Sequence, residues 1–149
     1  MYQNILIVCV GNICRSPTAE RVLQKMLPTH HIESAGIRAV VGADADFQAI
    51  KTALKRGVIV AGHAAQQLTA ALCEKADLIL VMEPAHIEAV TDILPSARSK
   101  TMLFAQWLPR KSIPDPFRQS DEMFESVYQH IEEAATSWAQ KLKADSGTR

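Results

Sequence analysis

From Asn4 to Cys9 the chain runs through Ile, Leu, Ile, Val and Cys without polar alternation. An unbroken apolar run of this length is the pattern of a strand covered on both faces, as in a parallel sheet. Gly11 and Asn12 interrupt it. Ser16 and Pro17 then offer an N-cap and a proline at the first helical position, and Ala19, Val22, Leu23, Met26 and Leu27 fall on one stripe. A helix is therefore predicted after one tight loop. His31 to Ala35 reads as a second short strand ended by Gly36, and Asp44 to Lys55 has the apolar spacing of a helix that stops near Gly57. Ala76 to Met82 reads as another buried strand, Pro84 to Leu94 as a helix, and Lys100 to Phe104 as a last strand. From Asp121 to about Lys143, Phe124, Val127, Ile131, Ala135, Trp138 and Leu142 recur at three- and four-residue steps, the stripe of a closing amphipathic helix. Strands alternating with helices predict an α/β fold: an open, mainly four-stranded parallel sheet with helices on both faces. Its ligand should sit beyond the C-terminal strand ends.

Composition narrows the picture. The 149 residues fit one domain, 1–149, in which only Asp145 to Arg149 read as a frayed end. The balance of 16 basic against 16 acidic residues leaves no global field to draw nucleic acid or an anionic membrane, so recognition of an anion must be local. The opening MYQNILIVCV has no basic segment and its apolar run stops at Gly11, so it reads as neither signal peptide nor membrane span. A cytoplasmic protein without membrane insertion is expected. Three cysteines, Cys9, Cys14 and Cys73, argue against a disulfide scaffold, and neither they nor the five histidines have metal-site spacing. No metal and no cofactor are expected.

The chemistry lies in the loop after the first strand. Cys9-Val10-Gly11-Asn12-Ile13-Cys14-Arg15-Ser16 places a thiol at a strand end and an arginine six positions later, where a helix starts. A short loop curled between them can turn the backbone N–H groups of Val10 to Ser16 inward, and the helix N-terminus adds partial positive charge. A phosphate dianion suits such a cup. Arg15 brings a planar fork for two phosphate oxygens. The same field favours a Cys9 thiolate, since cysteines in such places fall from about 8.5 to roughly 3.5–7.5. Neither GxxxxGK[ST] nor GxGxxG is present, so an anion without a nucleotide is the better match. A cysteine and an arginine six apart are on their own a common coincidence, and most cysteines in apolar runs are core. Strand end, helix start and the permissive Gly11-Asn12 pair together make the pattern specific.

VCVGNICRSPTAE resembles the signature of the low-molecular-weight protein tyrosine phosphatases. The likeness continues through ESAG at 33–36, GH at 62–63, ADLILVM at 76–82 and IPDPF at 113–117. It is similar above all to the bacterial branch paired with tyrosine autokinases in capsule or exopolysaccharide export, in part through the TMLFAQW stretch. The resemblance implies hydrolysis of phosphotyrosine through a phosphocysteine: Cys9 attacks phosphorus, Arg15 binds the equatorial oxygens, and Ser16 donates to the sulfur. It also implies that Asn12, Ser34 and His63 hold the loop in shape. A positioned acid is needed for the leaving oxygen. Pro114-Asp115-Pro116 presents Asp115 from a stiffened loop, and its match to the family's Asp-Pro element makes Asp115 the proton donor. Phosphotyrosine protein, such as an autokinase, is the implied partner of a monomeric enzyme.

Four positions depart from the family pattern. Phe117 stands where many members have tyrosine, Val40 and Val41 where animal members place a tryptophan, and Gln66 where arginine is usual. Val40, Val41 and Phe117 are expected to form the substrate wall, and the departures put substrate preference in question. Cys14 carries two readings: a partner for a protective disulfide with oxidised Cys9, or a small residue packed under the loop. Cys73 reads as inert core. Two other functions compete. Thiol-dependent arsenate reductase needs further cysteines, and only Cys73 is available. A phosphate carrier or binding module would not need both Arg15 and Asp115.

Overall fold

The structure, a computed structural model, describes residues 2–146. Four strands, β1 (Asn4–Cys9), β2 (His31–Gly36), β3 (Leu78–Val81) and β4 (Thr101–Leu103), form one sheet in the order β2-β1-β3-β4. All three pairings are parallel, with Cys9 opposite Gly36, Val8 opposite Val81 and Val81 opposite Leu103. The helices are α1 (Arg15–Met26), α2 (Phe47–Leu54), α3 (Ala70–Lys75), α4 (Pro84–Ile93) and α5 (Asp121–Ser146), with a 3₁₀ turn at Pro95–Lys100. Among the described residues, no helix is long and apolar enough to cross a membrane.

The unbroken apolar run of β1 is explained by its two covered faces. Ile5, Ile7 and Cys9 point into one core with Val22 and Leu23 of α1 and Val127, Ile131 and Trp138 of α5. Leu6 and Val8 point into a second core with Cys73 of α3, Val90 of α4 and Leu103. Each strand position therefore meets a helix layer on its own side, as a period of two requires.

Element ends differ from the sequence expectation where side chains claim backbone groups. α1 begins at Arg15 with Cys14 at the N-cap and no side-chain cap, because the Ser16 hydroxyl is engaged elsewhere. α2 begins only at Phe47, since Asp46 caps it by accepting from Gln48 N at 3.0 Å. β3 starts at Leu78 rather than Ala76, because Ala76 ends α3 and the Asp77 carboxylate accepts from the N–H groups of Gln3 and Asn4 at 2.9 and 2.8 Å. α5 runs to Ser146, and residues 147–149 of the end expected to fray lie outside the described residues.

From β1 the chain goes to β2 on one side and then crosses back to β3 on the other side of β1. Successive strands diverge there, and the loops beyond their carboxyl ends open a crevice. The loop 10–14 follows β1, Glu83 follows β3, and the segment carrying Asp115 follows β4.

Candidate active site

The loop between β1 and α1 has its shape set from outside. Every carbonyl from Cys9 to Cys14 accepts a hydrogen bond from surrounding protein. Ile37, Arg38 and Val40 donate their N–H groups to Cys9, Val10 and Gly11 at 2.9, 2.9 and 3.0 Å. His63 Nε2 donates to Asn12 O at 2.8 Å, Asp46 N to Ile13 O at 2.8 Å, and the Thr18 hydroxyl to Cys14 O at 2.8 Å. With the carbonyls turned outward, the N–H groups turn inward. Among the described residues, those of Gly11 to Cys14 donate to no protein acceptor. Asn12 supplies the left-handed turn, φ 60°, that lets the loop curl, a conformation asparagine tolerates better than most residues. Gly36 supplies the close approach: a Cβ there would lie 2.5 Å from Val10 O.

A side-chain network centred on the fully buried Asn12 lies beneath. Asn12 Nδ2 donates to Ser16 Oγ at 2.8 Å and to Ser34 Oγ at 3.0 Å, and its Oδ1 accepts from Gln66 N at 2.9 Å. Both amide hydrogens are therefore spent, and each serine is left with its own proton to give. Ser34 gives its proton to Glu20 Oε1 at 2.6 Å, and Ser16 faces Cys9 Sγ at 2.8 Å. The donor count thus orients the Ser16 hydroxyl toward sulfur. His63 is held in turn by Asp44, whose carboxylate accepts from the N–H groups of Gly62, Ala45 and His63 at 3.1, 2.6 and 3.0 Å. These backbone bonds, that of Gly62 foremost, hold the Asp44 carboxyl below the usual carboxylate range.

Arg15 is only 3% exposed in its side chain and is fixed at two points. Its Nη1 donates to Glu83 Oε2 at 2.6 Å and to Ile113 O at 2.8 Å. Its Nη2 lies 3.9 Å from Asp115 Oδ2, so the clamp and the expected acid border one space. Asp115 is half-exposed, on a segment with no helix or strand, and its Oδ1 accepts from Phe117 N at 3.0 Å. A cleft of about 200 Å³ over Cys9 is bounded by the loop together with Val40, Asp115 and Phe117. Val41, expected in the same wall, does not line it and is 71% exposed. Gln66 lies behind the loop: its Nε2 donates to Ser34 O at 2.9 Å and to Glu33 Oε1 at 3.2 Å. That departure bears on loop support rather than on the cleft.

Cys14 packs in an apolar cluster with Ala49 and Phe124. Burial, helped by the negative charge of Asp46, pushes its thiol far above the ordinary range. Cys73 is fully buried, and burial raises its thiol too. His86, on the first turn of α4, is pushed below the usual imidazole range by burial and then by the charge of Arg15. Among the described residues, no three His, Cys, Asp or Glu side chains gather in a group that could hold a metal ion.

Glu83, Glu20 and Asp44 escaped the sequence reading. Glu83 carried one usable signal, an acid two residues beyond a buried parallel strand, where ligand sites form. Glu20 and Asp44 carried none, since each looks like an ordinary surface acid.

The profile of the family described as "Low molecular weight phosphotyrosine protein phosphatase" matches residues 4–148. A Klebsiella pneumoniae relative, "Putative low molecular weight protein-tyrosine-phosphatase", is 53% identical over 144 residues, covering 97% of this chain and all of the relative. "Low molecular weight protein-tyrosine-phosphatase Wzb" of Escherichia coli K12 is 50% identical, covering 97% of this chain and 99% of its own. Among solved structures, Vibrio vulnificus Wzb in complex with benzylphosphonate superposes with a TM-score of 0.93 at 56% identity, covering 95% of this chain and 99% of that one. With the loop, the parallel sheet and a match along nearly its whole length, the chain belongs to the low molecular weight phosphotyrosine protein phosphatase family.

Proposed function

We propose that this protein hydrolyses phosphotyrosine in proteins through a phosphocysteine, with Cys9 as nucleophile, Arg15 as clamp and Asp115 as proton donor. The observation that carries the reading is the outward capture of all six carbonyls from Cys9 to Cys14, which aims the loop's N–H groups at one anion-sized space above the thiol. In the first step the Cys9 thiolate forms a bond to phosphorus as the phosphorus–oxygen bond breaks, and the leaving phenolate takes a proton from Asp115. In the second, Asp115 accepts a proton from water as its oxygen attacks phosphorus, and the sulfur leaves as a thiolate stabilised by the Ser16 hydroxyl. The backbone of Val10 to Ser16 and the Arg15 fork hold the equatorial oxygens, where charge gathers in the transition state. Asn12, Ser34 and His63 keep that cup rigid.

Benzylphosphonate, bound by the Vibrio vulnificus relative, joins an aromatic ring to a tetrahedral phosphorus group, the two features that also define phosphotyrosine. Val40 and Phe117 offer this chain an apolar edge for such a ring. The partner we assign is a tyrosine autokinase of capsule or exopolysaccharide production, met in the cytoplasm by a monomeric single-domain enzyme spanning 1–149.

The test is release of inorganic phosphate from phosphotyrosine, phosphoserine and phosphothreonine peptides without added metal or nucleotide. Wild type should act on phosphotyrosine, and Cys9→Ser should lose on the order of 10⁵–10⁶-fold in turnover, because a serine hydroxyl is scarcely ionised at neutral pH. Equal action on the three phosphoamino acids would overturn the substrate assignment. Retained turnover in Cys9→Ser would remove Cys9 from its role.

A further inference from the structure

A second cleft, about 590 Å³, adjoins the catalytic one and shares Asp115 with it. It runs from Asp115 and Glu83 past Ser112 to Lys111 and Arg110. Its two carboxylates are already spoken for. Glu83 is paired with Arg15 at 2.6 Å, and Asp115 faces Arg15 at 3.9 Å and must carry a proton when substrate reacts. Its two cations are not. Lys111 Nζ donates only to the carbonyl oxygens of Gln106 and Leu108, at 2.8 and 3.3 Å. Arg110 uses only its backbone carbonyl, which accepts from His130 Nε2 at 2.9 Å, and among the described residues its guanidinium has no carboxylate partner. Glu133 borders the hollow on the other side of Arg110 without pairing with it. By contrast, Lys55 and Arg56 on the α2 side both pair with Glu125.

We propose, resting on the phosphatase reading above, that this cleft is a specificity site that reads acidic residues on one flank of the phosphotyrosine, Arg110 being the main contact and Lys111 the second. Pro109 and Pro114 border the segment, and the two Lys111 bonds pin it, so little ordering is needed when a peptide docks. Lys111 lies four positions before Asp115, a span of at most roughly 14 Å, so the acidic residue must lie within about four positions of the phosphotyrosine. The other rim of the catalytic cleft is the apolar pair Val40 and Phe117, so the preference should be confined to one flank.

The experiment compares three phosphotyrosine peptides, acidic before, acidic after and neutral, as kcat/KM for wild type, Arg110→Gln and Arg110→Glu, with an aryl phosphate as control. Wild type should favour one acidic peptide about three- to tenfold, as two exposed ion pairs allow, and the preference should shrink as salt is raised. Arg110→Gln should weaken it, Arg110→Glu should abolish or reverse it, and both should keep aryl phosphate turnover. Equal turnover of the three peptides, or a preference that survives in Arg110→Glu, would overturn the inference while leaving the phosphatase reading intact. Failure of wild type to hydrolyse any of the peptides would overturn that reading and this inference with it.

Discussion

The two halves of the site are built in opposite ways. The loop from Cys9 to Ser16 is mostly buried, its carbonyls from Cys9 to Cys14 are all bonded, and its Asn12 makes four hydrogen bonds to other residues through its side chain and carbonyl. Asp115, across the cleft, is half-exposed and held by one bond to Phe117 N between two prolines. Under the proposed roles, the difference follows from what each half must do. A cup for a dianion works by dipoles that are already aligned, and any reorganisation on binding would cost the stabilisation it offers. A proton donor must meet a leaving oxygen that arrives with the substrate and must then meet water, so partial exposure serves it.

The comparison breaks first at the leaving group. Asp115→Asn should lose about 10²–10⁴-fold with a phenolate leaving group as basic as tyrosine and far less with nitrophenolate, which departs unaided. Arg15→Lys should lose on the order of 10²–10³-fold for every leaving group, because a point charge cannot replace the fork. Single-turnover phosphoryl transfer across a series of aryl phosphates checks both. A flat deficit for Asp115→Asn would mean that its role is structural.

Glu83 sharpens the same contrast, because it belongs to the rigid half although it lies beside Asp115. Glu83→Ala leaves Ile113 O as the remaining acceptor of Arg15 Nη1 and should lower kcat/KM about tenfold, evenly across leaving groups, as small misplacement of a clamp does. A loss concentrated on poor leaving groups would place Glu83 with the acid instead.

The smallest expected effect concerns the support of His63. Because backbone N–H groups depress the folded carboxyl of Asp44, its contribution to stability is complete above the unfolded value near 3.9 and is lost as pH falls through the lower folded value. Asp44→Asn should lower the urea midpoint slightly at neutral pH and flatten its decline below about pH 4. An unchanged acid slope in Asp44→Asn would show that other carboxylates account for it.

Elements whose neighbours lie close in sequence were legible. The apolar run of β1, the break at Gly11-Asn12, the Arg15 helix start and the stripe of α5 depend on periodicity and local backbone preference, and their positions hold within a few residues. The short helix α2 was over-extended because Asp44 to Phe47 has helical spacing, yet Asp44 spends its carboxylate on the 62–63 turn and Asp46 stops the helix as its cap. Ser16 was given a capping role for a similar reason: the local pattern fits a cap, and only the buried thiol and Asn12 around it decide otherwise.

By itself the sequence determined the sheet and the loop, because strand pattern, turn residues and the Cys9–Arg15 spacing all act over a few residues; the role proposed for Asp115 rests on the family resemblance. Only the tertiary structure decided what holds them. Glu83 reaches Arg15 across 68 positions, Asn12 meets Ser34 across 22 and His63 across 51. Val40 lines the cleft while Val41 turns to solvent. Such contacts are set by parallel register and by the way crossovers return the chain to the same sheet edge. No period or propensity along the chain records which distant carboxylate will face a given guanidinium.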